Sequence, residues 1–274
     1  ERMETAFRNC EKLQKHMRLL LDKGGLYKIY NGNLLFHGCI PLNEDGSLKE
    51  IQIYGKKYKG RELYDVLETY VRRAFFAVDS MEQRKGMDIL WFIWASPSSP
   101  LFGKDKMTTF ERYFIADKET HKETKGAYYH LLENEEVVDT LLQEFDLSPE
   151  NGHIINGHVP VHQGEGESPV KCNGKVIVID GGFCKAYQKV TGIAGYTLIY
   201  NSYGLILSAH EPFTSKEDAV SKESDIVSNR VSVHYTSKRR LVGDTDTGKA
   251  LRERIEELMQ LLDAYRKGYI KEKK

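Results

Sequence analysis

Three short apolar runs in this chain stop in the same way. "LLFHG" (34–38), "IINGH" (154–158) and "VIVIDGG" (176–182) each end in a polar side chain beside glycine. Apolar runs of this length, bounded by turn formers, read as short buried strands. Glycine at such an end lets the backbone turn sharply and keeps space open beside the polar group. In layered proteins that mix helices and strands, ligands bind where loops leave the carboxyl ends of strands. The pattern therefore constrains the chain to a layered α/β or α+β domain whose site gathers at strand ends.

The helical patterns agree with that class. Residues 1–22 carry an apolar stripe of Met3, Ala6, Phe7, Cys10, Leu13, Met17, Leu20 and Leu21, followed by a Gly24-Gly25 stop. Residues 61–78 give the clearest helix, with Leu63, Val66, Leu67, Tyr70, Val71, Ala74, Phe75 and Val78 on one face. Val137, Val138, Leu141, Leu142 and Phe145 mark another, and residues 247–274 a last one with Leu251, Ile255, Leu258, Leu262 and Tyr265 on one face. "LYKIY" and "LLF" around "NGN" predict a hairpin. "YTLIYNSYGLILSAH" and "VSVHY" predict further strands, while "DILWFIWASP" reads equally as a buried strand or a short helix. The expected division is a domain over 1–240 with a C-terminal helix over 241–274 packing on it.

Composition removes several function classes. The chain has 274 residues, with 40 basic against 40 acidic. That balance offers no electrostatic footprint for nucleic acid or an anionic membrane surface. No apolar run approaches the roughly 18–20 residues of a membrane span. The four cysteines (Cys10, Cys39, Cys172, Cys184) form no CxxC pair and read as reduced thiols of a cytoplasmic protein. The first residue is Glu1, inside a helical pattern, which raises the expectation of a longer parent protein.

His37 and His158 are the candidates at the strand ends. A neutral imidazole is a good ligand for zinc, manganese or iron, so the two histidines are candidates to share one metal. The competing reading, that each is a hydrogen-bonded structural histidine, stands beside it. His162 lies four residues beyond His158 in a polar loop, and the remaining histidines read as surface or structural residues. "GDTDTGKA" (243–250) fits most of a P-loop. Ala250 replaces the Mg²⁺-binding hydroxyl, and Asp244 and Asp246 bring negative charge to a phosphate cradle. The expected role is a helix N-terminus capped by Asp246 or Thr247.

Taken together, "NGNLLFHGCIPLN", "SPLFGKDKMTTFERYFI", "HKETKGAYYHL", "NGHVPV" and "GKVIVIDGGFCKAYQKVTGIAGYTLIYNS" resemble the class III fructose-1,6-bisphosphatases of bacteria. These are a branch of the calcineurin-like metallophosphoesterases. The resemblance implies the C-terminal part of a β-sandwich flanked by helices, with a two-metal site at strand ends. The superfamily's later motifs, His-Gly and Gly-His, fall on His37-Gly38 and Gly157-His158, so both histidines would bind the second metal. Val159 stands where many relatives have Thr. The earlier motifs, G-D-x-H-G, G-D-x-x-D-R-G and G-N-H-[DE], do not occur in the sequence. The resemblance thus implies a missing N-terminal segment, with no catalytic residue in this chain.

The implied activity is gluconeogenic hydrolysis of fructose 1,6-bisphosphate with Mn²⁺, and the chain alone would be inactive. The alternative is a non-catalytic scaffold segment; a homo-oligomer is left open. For the sugar bisphosphate's far phosphate, Arg112 and Lys104 are the candidate cations, with Lys185 behind them. The P-loop reading has its own test. Calorimetric titration with ATP and Mg²⁺ is expected to show no binding, and micromolar binding lost in Lys249→Ala would restore that reading.

Overall fold

The computed structural model describes residues 1–180, 184–212, 215–223 and 228–271. Two compact units emerge, Glu1–Asp180 and Gly181–Lys274. The 240/241 boundary expected from the sequence falls inside the second.

The first unit opens with α1 (Arg2–Arg8) and α2 (Glu11–Lys23), so the stripe over 1–22 is interrupted at Asn9-Cys10, and neither helix has a buried residue. A hairpin follows, β1 (Tyr27–Tyr30) and β2 (Asn33–Phe36), paired Tyr30 to Asn33. Its two-residue turn places Asn31 at φ 51° and Gly32 at φ 80°. Both lie in the left-handed region that such a hairpin turn requires and that the Asn-Gly pair tolerates. A second hairpin, β3 (Ile51–Ile53) and β4 (Lys56–Tyr58), precedes α3 (Gly60–Phe76) and α4 (Ser80–Ala95). Then come α5 (Thr109–Phe114), α6 (Ala127–Leu131), α7 (Glu135–Glu144), β5 (His153–Asn156), β6 (Val170–Lys171) and β7 (Val176–Val178).

One mixed sheet of five strands, in the order β1-β2-β5-β7-β6, carries the unit. Its centre is parallel. Asn33, Leu34 and Leu35 pair with His153, Ile154 and Ile155, and Ile154, Ile155 and Asn156 pair with Val176, Ile177 and Val178. Parallel neighbours need long crossovers, and the segment between β2 and β5 holds five α-helices, α3 to α7, besides the β3–β4 hairpin. Parallel strands also bring their carboxyl ends to one edge. Positions 37, 157–158 and 179–180, the polar tips read from the sequence, emerge there together. Gly181 and Gly182 of the third tip lie outside the described residues.

Burial follows the helical periodicity. Leu63, Tyr64 and Leu67 of α3 are fully buried, and Leu63 and Leu67 join Ile51, Ile53, Ile89 and Ile93 in one apolar cluster. Each such side chain contributes about 1.5–3 kcal/mol relative to leaving it in water. The ambiguous "DILWFIWASP" is the end of helix α4, begun by Asp79, whose carboxylate accepts from the backbone N–H groups of Met81 and Glu82. Only one side of α4, with Gly86, Ile89 and Ile93, is buried. Gly86 lies against α3 so closely that a Cβ there would sit 2.3 Å from the Ala74 nitrogen and 2.5 Å from the Tyr70 oxygen.

The second unit contains α8 (Lys185–Thr191), β8 (Gly195–Asn201), β9 (Gly204–His210), α9 (Lys216–Ser221), β10 (Ser228–Tyr235) and α10 (Asp246–Arg266). Its sheet is antiparallel, β10-β9-β8. The last helix is capped by Thr245, whose Oγ1 accepts from the Gly248 N–H at 3.1 Å. This corrects the expectation of Asp246 or Thr247. The cap uses an N–H that a P-loop would offer to phosphate, and a Cβ at Gly248 would lie 1.9 Å from the Val242 oxygen. The loop is a tight helix entry whose Gly248 N–H is already taken by the cap. Helices and sheets of both pairings give the mixed α/β class read from the sequence.

Gly86→Ala tests the helix contact. The added methyl must push α3 and α4 apart, and an overpacked contact of this kind costs about 1–3 kcal/mol. A lower urea midpoint at unchanged slope is the expected result.

Candidate metal centre

The site begins with backbone. β2 continues past Phe36 to His37, and β5 continues past Asn156 to Gly157 and His158. The Gly157 N–H donates to the His37 carbonyl at 2.9 Å, extending the parallel ladder by one step. Gly38 is needed for close approach: a Cβ there would lie 2.3 Å from the Pro100 oxygen, which accepts from the Cys39 N–H at 2.8 Å. Asn156, buried at the tip of β5, donates through Nδ2 to the Gly38 carbonyl at 3.3 Å, while its Oδ1 is buried with no partner in the protein. That amide ties the two strand ends together. The sequence reading did not single it out, although a polar residue ending an apolar strand was its signal.

His158 has φ 68°, the left-handed region that costs a non-glycine residue roughly 1–2 kcal/mol. In this pose its Nδ1 lies 3.1 Å from the His37 Nε2, with ring centroids 4.9 Å apart and planes at 73°. Its Nε2 lies 3.0 Å from the Phe102 carbonyl oxygen. A carbonyl only accepts, so Nε2 carries the proton and the Nδ1 lone pair faces His37. The His37 Nε2–H then donates to it. Two nitrogens each about 2.0–2.1 Å from one ion are themselves about 3 Å apart. The N···N separation therefore matches that of two ligands of one ion, which would need His37 to carry its proton on Nδ1 and both lone pairs to turn toward that ion. A carbonyl fixing the tautomer of a ligating histidine is the usual outer support of such a ligand.

Burial holds the His158 imidazole below its ordinary pKa, and the nearby His37 and Lys104 add to this. The Phe102 carbonyl and the Asp180 charge act the other way. Asp180 ends the third parallel strand, and its Cβ would sit 3.8 Å from a Cβ at Gly157. Among the described residues no group of three or more His, Cys, Asp or Glu side chains is assembled to hold a metal. What the chain brings together at this edge is a pair of imidazole nitrogens.

The two cations named from the sequence lie on the segment after Phe102. Lys104 Nζ is 2.6 Å from Glu123 Oε2, and Arg112 Nη2 is 3.8 Å from Glu123 Oε1. Arg112 also donates from Nε to Thr108 Oγ1 at 3.0 Å and from Nη2 to the His121 carbonyl at 3.3 Å. Burial alone would raise the Glu123 pKa, but the hydrogen bonds from Lys104 and from the Thr108 N–H and hydroxyl hold it down at about 2. Glu123 is a permanent anion shared by both cations. Lys185 opens α8 in the second unit.

A family model described as Firmicute fructose-1,6-bisphosphatase matches residues 1–267. The chain belongs to that family. It is 56% identical over 273 residues to the class 3 fructose-1,6-bisphosphatase of Clostridioides difficile (strain 630), 54% to that of Clostridium botulinum (strain Loch Maree / Type A3) and 55% to that of Clostridium tetani (strain Massachusetts / E88). Each comparison covers 99% of this chain and 41% of the relative. The chain therefore spans about two-fifths of the length of these relatives. No solved structure matches it. No helix among the described residues is long and apolar enough to cross a membrane.

The depressed His158 pKa has a sign that can be checked. The unfolded imidazole, near about 6.5, binds a proton that the folded one resists. Stability therefore falls as pH drops below about 6.5. Long-range ¹H–¹⁵N NMR is expected to show His158 titrating below 6.5 with its proton on Nε2. In His37→Ala the shift is expected to shrink without vanishing, because burial, the largest cause, remains.

Proposed function

We propose that this chain is the part of a class 3 fructose-1,6-bisphosphatase that supplies two ligands to one metal ion of a two-metal centre. The full protein would hydrolyse fructose 1,6-bisphosphate to fructose 6-phosphate and phosphate. The observation that carries the reading is the imidazole pair: two nitrogens 3.1 Å apart at the ends of adjacent parallel strands, one with its tautomer set by a backbone carbonyl. Family membership supplies the substrate class. Mn²⁺ is the proposed ion, which mixed imidazole and carboxylate ligation accepts.

The residues present fit such a group. His158 Nδ1 and His37 Nε2 would hold it, and the Asn156 amide keeps the strand ends in register beneath them. When bound, the metal pair supplies charge neutralisation at the phosphoryl oxygens and an activated water. The protein's own part is orientation. The Phe102 carbonyl keeps the His158 lone pair turned to the site, and burial keeps the ring neutral and ready to ligate near pH 7. Arg112 and Lys104 are the proposed cations for the substrate's far phosphate. Glu123 holds Lys104 tightly and Arg112 loosely, so Arg112 is the readier of the two to turn to a phosphate. The remaining ligands and the rest of the β-sandwich would come from the part of the protein beyond this chain, in the cytoplasm.

A paired assay tests this. With fructose 1,6-bisphosphate and Mn²⁺, this chain alone is expected to release no phosphate, while the full-length protein turns over at about 1–10³ s⁻¹. In the full-length protein His37→Ala or His158→Ala is expected to lower kcat by about 100-fold or more. Arg112→Ala is expected to raise KM about tenfold, the loss of one charged hydrogen bond. Turnover by this chain alone, or full activity in either histidine variant, overturns the half-site assignment.

A further inference from the structure

α4 is apolar on two sides. Its buried side, Gly86, Ile89 and Ile93, faces the core. On the other side Met87, Leu90, Trp91 and Trp94 stand 55%, 43%, 66% and 59% exposed. Their spacing, i, i+3, i+4 and i+7, puts them in one stripe along the helix. The indoles of Trp91 and Trp94 meet edge to face at 5.0 Å, and they are the chain's two tryptophans. A helix that buries one face in its core needs only one apolar stripe, so a second apolar stripe calls for a second partner. Tryptophan and methionine are also enriched at the centres of protein contacts. Arg84 and Asp88 border the stripe, and their charges cancel, so the face selects its partner by shape and apolarity.

We propose that this face is the seat of the part of the protein that lies outside this chain. Length supports that occupant: the curated relatives are more than twice as long as the chain, and the remainder must pack somewhere. Continuity with the histidine pair supports it as well. Beyond α4, the Ser99 hydroxyl donates to the Ile93 carbonyl at 2.5 Å, Pro100 accepts from the Cys39 N–H, and the Phe102 carbonyl holds His158. A segment resting on the C-terminal end of α4, at Trp94, would lie a few residues along the chain from the stretch that orients the two histidines, where further ligands would be needed. A second copy of the chain would cover the same apolar area but bring only the same two histidines. The choice of occupant rests on the hydrolase reading; the burial of the face does not.

Hydroxyl-radical footprinting read by mass spectrometry tests it, on metal-free protein, with this chain and the full-length protein side by side. Trp91 and Trp94 are expected to oxidise fast in this chain at every protein concentration. In the full-length protein their oxidation is expected to fall about tenfold, as for aromatic anchors removed from water in an interface. Met87 gives an internal second reading on the same stripe. Equal rates in the two proteins overturn the proposal. Slow oxidation in this chain alone also overturns it, and if the protection grows with concentration the face belongs to a second copy. Protection at full length in a protein that proves to have no phosphatase activity keeps the docking face and discards the hydrolase reading.

Discussion

The parallel pairing of β2 with β5 is the constraint on which the rest depends. Two residues that are distant in sequence, His37 and His158, meet because Leu34 and Leu35 lie beside Ile154 and Ile155 in register. A one-residue slip in either strand would turn every side chain to the other face of the sheet and send one imidazole away from the other. The register is held from both ends. The Asn31-Gly32 turn fixes β2 against β1, and the Asn156 amide and the Gly157 N–H lock the opposite end to Gly38 and His37. Between them Leu34 and Ile154, both fully buried, make any slip expose apolar surface.

The electrostatics around this edge divide between silence and commitment. Burial holds the His158 imidazole below its ordinary pKa, so that ring can meet a cation without first losing a proton to solvent. A short way along the chain, Glu123 is kept charged by Lys104 and by the Thr108 N–H and hydroxyl. An anion arriving at Lys104 has to displace a carboxylate that binds its lysine at 2.6 Å.

Much of this was legible in the sequence because it depends on local rules. The Asn-Gly hairpin, the helix at Gly60–Phe76 and the strand-end histidines all follow from turn chemistry and periodicity. What escaped depends on neighbours distant in sequence. "DILWFIWASP" was ambiguous because a helix apolar on two faces has no periodicity to read. The break at Asn9-Cys10 carries no glycine or proline to announce it. The cap at Thr245 instead of Asp246 or Thr247 is a shift of one or two residues among three competent side chains. Asn156 was invisible as a positioning group because its partner, the Gly38 carbonyl, lies 118 residues away. The pairing of Arg112 with Glu123 is likewise a tertiary fact.

The groups that orient the two histidines are nearly all main chain: the carbonyls of His37, Gly38, Pro100 and Phe102, and the N–H groups of Cys39 and Gly157. Backbone atoms are the same whatever side chain they carry. The walls of this site can therefore drift in sequence with little effect on its geometry. The same construction is intolerant of changes in length. One residue inserted or deleted between Ile93 and Phe102, or in the two strand tips, would carry a carbonyl past its histidine. Variation in this region is expected to be rich in substitutions and nearly free of gaps.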